Sequence, residues 1–233
     1  MADRDHALLR IAVDLAILTV RDADFQVLLI ERRNPPHQGL PALPGGFLRD
    51  DEDPERAALR ELREETSLDA SNLILEQLTV RGAPDRDPRG RVVSVPYMAI
   101  APDLPIPTAG SDASAAHWVS MASALRDASL AFDHGHILAE ALELARARLE
   151  HTTVATAFCH EPFTIGDLRH VYEVVWGTTL DAGNFSRKVT KTEGFIEATG
   201  DRRAHGTGRP AATYRRGTAR RLHPPIFRNP IEI

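Results

Sequence analysis

The run DPERAALRELREETSL at residues 53–68 dictates a capped helix. Asp53 is suited to the N-cap and Pro54 to the first helical position, Glu55 meets the positive helix end, and good helix formers follow. On such a helix Glu61, Glu64 and Glu65 fall within an arc of about 100°, so three carboxylates share one face. Leu59 and Leu62 point to another side for packing, and Arg60 stands one turn before Glu64, where an i,i+4 pair forms. Clustered carboxylates repel one another unless a cation sits among them. Mg²⁺ bridging the phosphate oxygens of a substrate answers that chemistry. From helix composition alone, a solvated face of Arg/Glu pairs is the alternative.

Two aliphatic and β-branched runs, Ile11–Val20 and Phe25–Ile30, read as strands joined by the turn RDAD. The Pro/Gly-rich NPPHQGLPALPGG that follows cannot be a helix interior and reads as a loop. Strands recur at Leu73–Val80 and Val92–Ile100, on either side of GAPDRDPRG, and a helix at Ile137–Leu149 keeps an apolar stripe. Strand and helix thus alternate to about residue 150, the pattern of an α/β domain. With 42% hydrophobic and 26% charged residues, the composition is that of a globular protein rather than a disordered chain. No apolar run reaches the roughly 20 residues of a spanning helix, and the start MADRDHALLR carries no export signal. The one cysteine, Cys159, excludes an intramolecular disulfide framework and fits a reducing cytoplasm. No membrane partner is expected.

After His151 the texture changes. In FTIGDLRHVYEVVWG, Thr164 and Asp167 stand at capping-box spacing, and Phe163 with Leu168 at that of a hydrophobic staple. Leu168, Val171, Tyr172, Val175 and Trp176 then trace one buried helix face. Gly177 ends this helix, Asp181 caps a second that runs to about Thr192, and Gly194 closes it. Two helices with a short Gly-containing turn between them form a helix-turn-helix candidate. Two short strands, Phe195–Ala198 and Ala212–Arg215, are expected around a Gly-rich loop bearing Arg202, Arg203 and Arg209. A basic hairpin in that place is a wing, free to contact phosphates or the minor groove.

Charge divides along the same line. The net −5 averages residues 1–150, where 16 Arg and no Lys face 25 acids, with residues 151–233, where 12 basic residues face 8 acids. Within 187–228 there are 11 basic residues and 3 acids, an asymmetry that points to an acidic partner. On the second helix Asn184, Arg187, Lys188 and Lys191 fall within an arc of about 100°, away from Phe185 and Val189. Arg and Lys read guanine and Asn reads adenine in the major groove, so this face suits double-stranded DNA.

Upstream spacing adds a family to this reading. Gly46, five residues, Glu52, seven residues and then Arg60-Glu61-Leu62-Arg63-Glu64-Glu65 resembles the Nudix signature, and PALPGGFL and DRDPRGRVVSVPYMAI are similar to Nudix proteins that handle ADP-ribose. The resemblance implies a Nudix-type α/β/α sandwich with a mixed sheet. Glu61, Glu64 and Glu65 would hold Mg²⁺ and activate water, Arg60 would orient them, and Glu52 would stand behind them. Gly46 and Arg91 are the expected effector contacts. Ser67 departs from the family, which has Gly there for a left-handed turn, and Pro41 stands where many relatives have Trp.

A Nudix-like region followed by FTIGDLRHVYEVVWGTTLDAGNFSRKV and GRPAATYRR resembles the Nudix-related transcriptional regulators along nearly the whole chain. That likeness implies residues 1–150 as effector domain and 153–228 as a winged helix-turn-helix. It further implies a homodimeric repressor of NAD biosynthesis or recycling genes on a palindromic operator, with ADP-ribose or a related NAD metabolite as effector and little or no hydrolysis. The alternative is an Mg²⁺-dependent ADP-ribose pyrophosphatase with an accessory basic domain. Its acids Glu52, Glu61, Glu64 and Glu65 are all present. His134 and His136 lack a third ligand and suit a helix start or surface, while Cys159 and Trp118 suit the core.

Overall fold

The computed structural model describes residues 8–66, 74–100, 102, 113–126, 129–204 and 210–228. Ser67 and Arg209 lie outside them, as does the side chain of Glu65. The chain divides into two compact units, one holding most of the chain to Ala141 and the other Thr19–Phe25, Ile100–Asp103 and the chain from Leu142 on.

The aliphatic runs form β1 (Arg10–Arg21) and β2 (Asp24–Arg32). Their two-residue turn puts Asp22 and Ala23 at positive φ, 49° and 60°, matching the right-handed twist of a hairpin. The Pro/Gly-rich stretch, read as loop, contains two short strands, β3 (Pro41–Ala42) and β4 (Gly45–Phe47). Next come α1 (Pro54–Thr66) and β5 (Ile74–Gln77). The strand expected over Val92–Ile100 is broken into β6 (Val92–Ser94) and β7 (Tyr97–Ile100), because Pro96 has no N–H for a ladder. The elements β8 (Ala113–Ser120), α2 (Met121–Arg126) and α3 (His134–His151) follow. β8 and α2 come in addition to the elements expected from the sequence.

Among the described residues β1 to β8 make one sheet, with the order β3-β2-β1-β7-β5, β4 and β6 joined to β1, and β8 to β2. The sheet is mixed, as expected: β6 runs parallel to β1 and β4 antiparallel. β1 is buried without a break from Ala12 to Leu18, so this strand is covered on both faces, with Asp14 the one charged residue in the run.

The C-terminal unit holds a 3₁₀ turn (Thr153–Phe158), β9 (Phe163–Thr164), α4 (Ile165–Trp176), α5 (Ala182–Lys191), β10 (Ile196–Arg203) and β11 (Ala211–Arg216). The capping box forms: Thr164 Oγ1 accepts the Asp167 N–H at 3.1 Å, and Asp167 accepts the Thr164 N–H at 2.8 Å. Gly177 closes α4 at φ 68°, a left-handed conformation open to glycine. All five predicted positions on α4 are buried, each large aliphatic side chain contributing about 1.5–3 kcal/mol. The three-stranded sheet runs β10-β11-β9. β10 is longer than expected. Arg202 and Arg203 therefore belong to the strand and not to the loop, since cross-strand pairs continue to Arg202↔Ala212 and Arg203↔Ala211 past an irregularity after Ala198.

Candidate functional site

A cavity of about 680 Å³ opens in the first unit, lined by residues of β1, β2, β4, α1, the 86–89 segment and the start of α3. The Asp53 side chain caps α1, accepting the Arg56 N–H at 2.8 Å. With Ala57, Ala58 and Leu62 buried, Arg60, Glu61 and Glu64 are left on the cavity side.

Arg60 organises this wall. It donates to both oxygens of Glu52, from Nη2 at 2.6 Å and Nε at 2.9 Å, and from Nη1 to Glu61 at 2.6 Å. The expected partner, Glu64, is reached at 3.4 Å. Glu52 also accepts the Arg49 N–H at 2.8 Å. The Arg60 hydrogen bonds, helped by Arg49, hold the Glu52 carboxyl down at about 2. Glu61 moves the other way: burial raises its pKa against the pull of Arg60. Glu61 also leans so closely over Gly46 that a Cβ there would strike its carboxylate. Gly46 is thereby needed for close approach, whatever its part in binding an effector.

Among the described residues no three His, Cys, Asp or Glu side chains converge as a resident metal requires. Glu61 and Glu64 both line the cavity, with a guanidinium between them. Mg²⁺ is commonly held by one or two carboxylates together with phosphate oxygens, so this pair fits a cation arriving with a diphosphate.

A second cluster was not foreseen. Asp14 accepts from Ser94 Oγ at 2.5 Å and lies 3.3 Å from both Arg86 Nη2 and His134 Nε2. Arg86 also bridges to Asp133 at 2.6 Å. Burial would raise the Asp14 pKa, but His134, Ser94 and Arg86 outweigh it and hold the group at about 2. His134 does start a helix, yet it is buried rather than at the surface.

A third feature comprises Phe47, Arg89 and Phe132, all on the cavity wall. Arg91, the expected effector contact, is not among the lining residues; its Nη1 donates to the Gly82 carbonyl at 3.2 Å. Arg86 and Arg89 line the cavity in its place. Alternation along 86–91 could not choose between them, because this segment is a turn without strand periodicity.

In the second unit the Asp181 carboxylate caps α5, accepting the Asn184 N–H at 2.7 Å. Phe185 and Val189 are buried, while Asn184, Arg187, Lys188 and Lys191 are exposed, and Arg187 donates to Asn184 Oδ1 at 3.0 Å. Arg202 and Arg203 are differently placed. Arg203 forms an ion pair with Asp167 and donates to the Pro162 carbonyl at 3.3 Å, and Arg202 donates to the Pro210 carbonyl at 3.0 Å. Cys159 is buried, which pushes its thiol up to about 12, out of the reactive range. Trp118 is half-buried on β8.

Two family models match the chain. One described as the NUDIX domain covers residues 9–141, and one described as the NrtR DNA-binding winged helix domain covers residues 155–216. A protein of Acinetobacter baylyi, named ADPR responsive transcriptional repressor NtrR, is 34% identical over 205 residues, which is 87% of this chain and 80% of that protein. The chain belongs to the Nudix-related transcriptional regulators. This regulator is similar to Shewanella oneidensis NrtR in its crystal structure complexed with a 27mer DNA: TM-score 0.78, 31% identity, 91% of this chain and 98% of that one. It is also similar to the NUDIX domain of the same NrtR complexed with ADP ribose, at TM-score 0.55 and 32% identity, over 62% of the regulator and 94% of that chain.

Proposed function

We propose that this regulator is a cytoplasmic, homodimeric repressor of NAD biosynthesis or recycling genes. Residues 1–150 bind ADP-ribose or a related NAD metabolite, and residues 153–228 bind a palindromic operator. The observation that carries this reading is α5, where Asn184, Arg187, Lys188 and Lys191 stand exposed above buried Phe185 and Val189. Its place within the matched winged helix and the DNA-bound relative support it. Among the described residues no helix is long and apolar enough to cross a membrane. In this function Lys188 and Lys191 neutralise phosphates and Arg187 reaches a base edge, oriented by Asn184. For ADP-ribose to release DNA, it must bind the two arrangements of the dimer with different affinity. The test is a gel shift on the DNA upstream of its own gene and of NAD-metabolism genes, at two salt concentrations, with and without ADP-ribose. Absence of specific binding, or binding untouched by Arg187→Ala and Lys188→Ala together, rejects the reading.

A second reading, ADP-ribose hydrolysis, is favoured by one observation: Arg60 holds Glu52, Glu61 and Glu64 together at the cavity wall. Mg²⁺ carried in with the diphosphate would offset its charge and acidify a bound water. Glu61 and Glu64 would hold the cation, with Glu65 adjoining by the signature, and Arg60 would fix their orientation. Incubation of ADP-ribose with Mg²⁺ decides it, compared with Glu64→Gln. No turnover by the wild type rejects hydrolysis and leaves the repressor reading intact.

A further inference from the structure

Three arginines and two phenylalanines alternate in a row, all but Arg10 lining the cavity. The Arg10 guanidinium carbon lies 4.8 Å from the Phe47 ring centre, and that of Arg89 5.2 Å from the same ring. Arg89 also lies 5.5 Å from the Phe132 ring centre, and Arg32 4.8 Å from it. Arg89 is thus the central member, within 5.5 Å of both ring centres. Such contacts use the face of the guanidinium and leave its N–H edge for hydrogen bonds. Asp87 takes part of that edge, at 3.0 Å from Nε and 2.7 Å from Nη2, and its own carboxylate is buried. Nη1 of Arg89 has no partner among the described residues.

Of the other cavity guanidiniums, Arg49 is exposed and makes one contact among the described residues, with Glu64 at 3.3 Å, while the rest are engaged by the wall. Arg86 lies between the carboxylates of Asp14 and Asp133, Arg60 binds Glu52 and Glu61, and Arg32 donates to the carbonyls of Pro36 and Asn34. The wall that holds Arg89 is itself maintained against a conformational preference. Phe132 sits at φ 54°, where a bulky non-glycine residue is strained, and is packed by His37 with ring centres 4.7 Å apart.

We propose that Arg89 is a ligand-binding residue of this cavity, its Nη1 donating to an anionic oxygen of a diphosphate, and that Phe47 and Phe132 position it by fixing its guanidinium plane. The inference rests on the reading that the cavity takes ADP-ribose. A guanidinium ordered before binding loses little side-chain freedom on contact, and the charged hydrogen bond selects for the phosphate part of the ligand. Lysine cannot replace it, having neither the plane for two rings nor the fork for Asp87.

The test is calorimetric titration of the full-length protein with ADP-ribose, and displacement by inorganic pyrophosphate and by adenosine. Arg89→Lys should weaken ADP-ribose about tenfold or more, the loss of one charged hydrogen bond. It should weaken pyrophosphate similarly and leave adenosine unchanged. Phe132→Leu and Phe47→Leu should each weaken ADP-ribose by a smaller factor, with no further loss in the Arg89→Lys background. ADP-ribose binding by Arg89→Lys within twofold of wild type overturns the proposal, and additive losses overturn the positioning role of the rings. Equal weakening of adenosine and pyrophosphate also overturns it, because it marks a structural collapse of the wall. A wild type that binds pyrophosphate but not ADP-ribose refutes the ADP-ribose reading, and Arg89 is then judged on pyrophosphate; binding of neither refutes both.

Discussion

Nδ1 of His134 accepts the backbone N–H of Leu43 at 2.9 Å, and this bond decides which ring nitrogen faces Asp14. An acceptor nitrogen carries no proton, so Nε2, 3.3 Å from Asp14 Oδ1, is the ring nitrogen left to donate. One side chain thereby ties the β3–β4 connection to β1 and to the start of α3. His134→Ala strands a buried N–H and takes a partner from a buried carboxylate, and should cost about 2–4 kcal/mol. Urea unfolding of wild type and variant at neutral pH measures it.

Acid should act through the same cluster. The folded pKa of Asp14 is about 2 against an ordinary 3.8, so between those values the unfolded chain binds the extra proton. Its stabilisation, on the order of 2 kcal/mol, is complete above about pH 4 and is lost as pH falls towards 2. Glu52, also held at about 2, moves with the same sign. Urea midpoints at pH 5 and pH 3 should differ less in Asp14→Asn than in wild type. An equal difference would remove Asp14 from the acid response.

Gly46→Ala is expected to separate stability from function. The added Cβ meets the Glu61 carboxylate, the far end of a flexible side chain, which can yield by leaving Arg60. Stability should fall by only about 1 kcal/mol. Mg²⁺-supported binding or turnover of ADP-ribose should fall much further, as calorimetry and product assay would report.

The basic residues of the second unit should fall into two groups. Lys188→Ala should lower the slope of log affinity against log salt by about 0.9 for each phosphate left without a neutralising charge, with little change in Tm. Arg203→Ala should do the reverse, lowering Tm with little change in slope, because its partners are Asp167 and the Pro162 carbonyl. Salt-series anisotropy and thermal melts on both variants check this.

Asp181→Ala removes the cap at the start of α5 and should cost about 1 kcal/mol. DNA affinity should fall with it, since the cap binds the N–H of Asn184 itself and lies within two turns of Arg187. Circular dichroism melts and the same anisotropy assay would show both effects.

Helices α1, α3, α4 and α5 were legible from neighbouring residues alone, whereas the short α2 was not. Asp53, Thr164 with Asp167, Gly177 and Asp181 signal helix ends over three or four positions, and the stripe from Leu168 to Trp176 repeats with the helical turn. The Glu61–Glu64 face and the basic face of α5 followed from the same period. Tertiary structure decided what meets across long separations. Arg60 takes Glu52 as its main partner because a loop folds back on α1. Asp14, Ser94, Arg86 and His134 meet because β6 lies parallel beside β1 and α3 begins at the same cavity. Arg89 rather than Arg91 reaches the cavity wall, and Arg203 turns to Asp167 because β10 runs further than its composition suggests. Local signals report the backbone's preference for a helix or strand, but strand register and turn direction arise only when distant apolar faces pack. Those choices bring together the charged groups of the cavity.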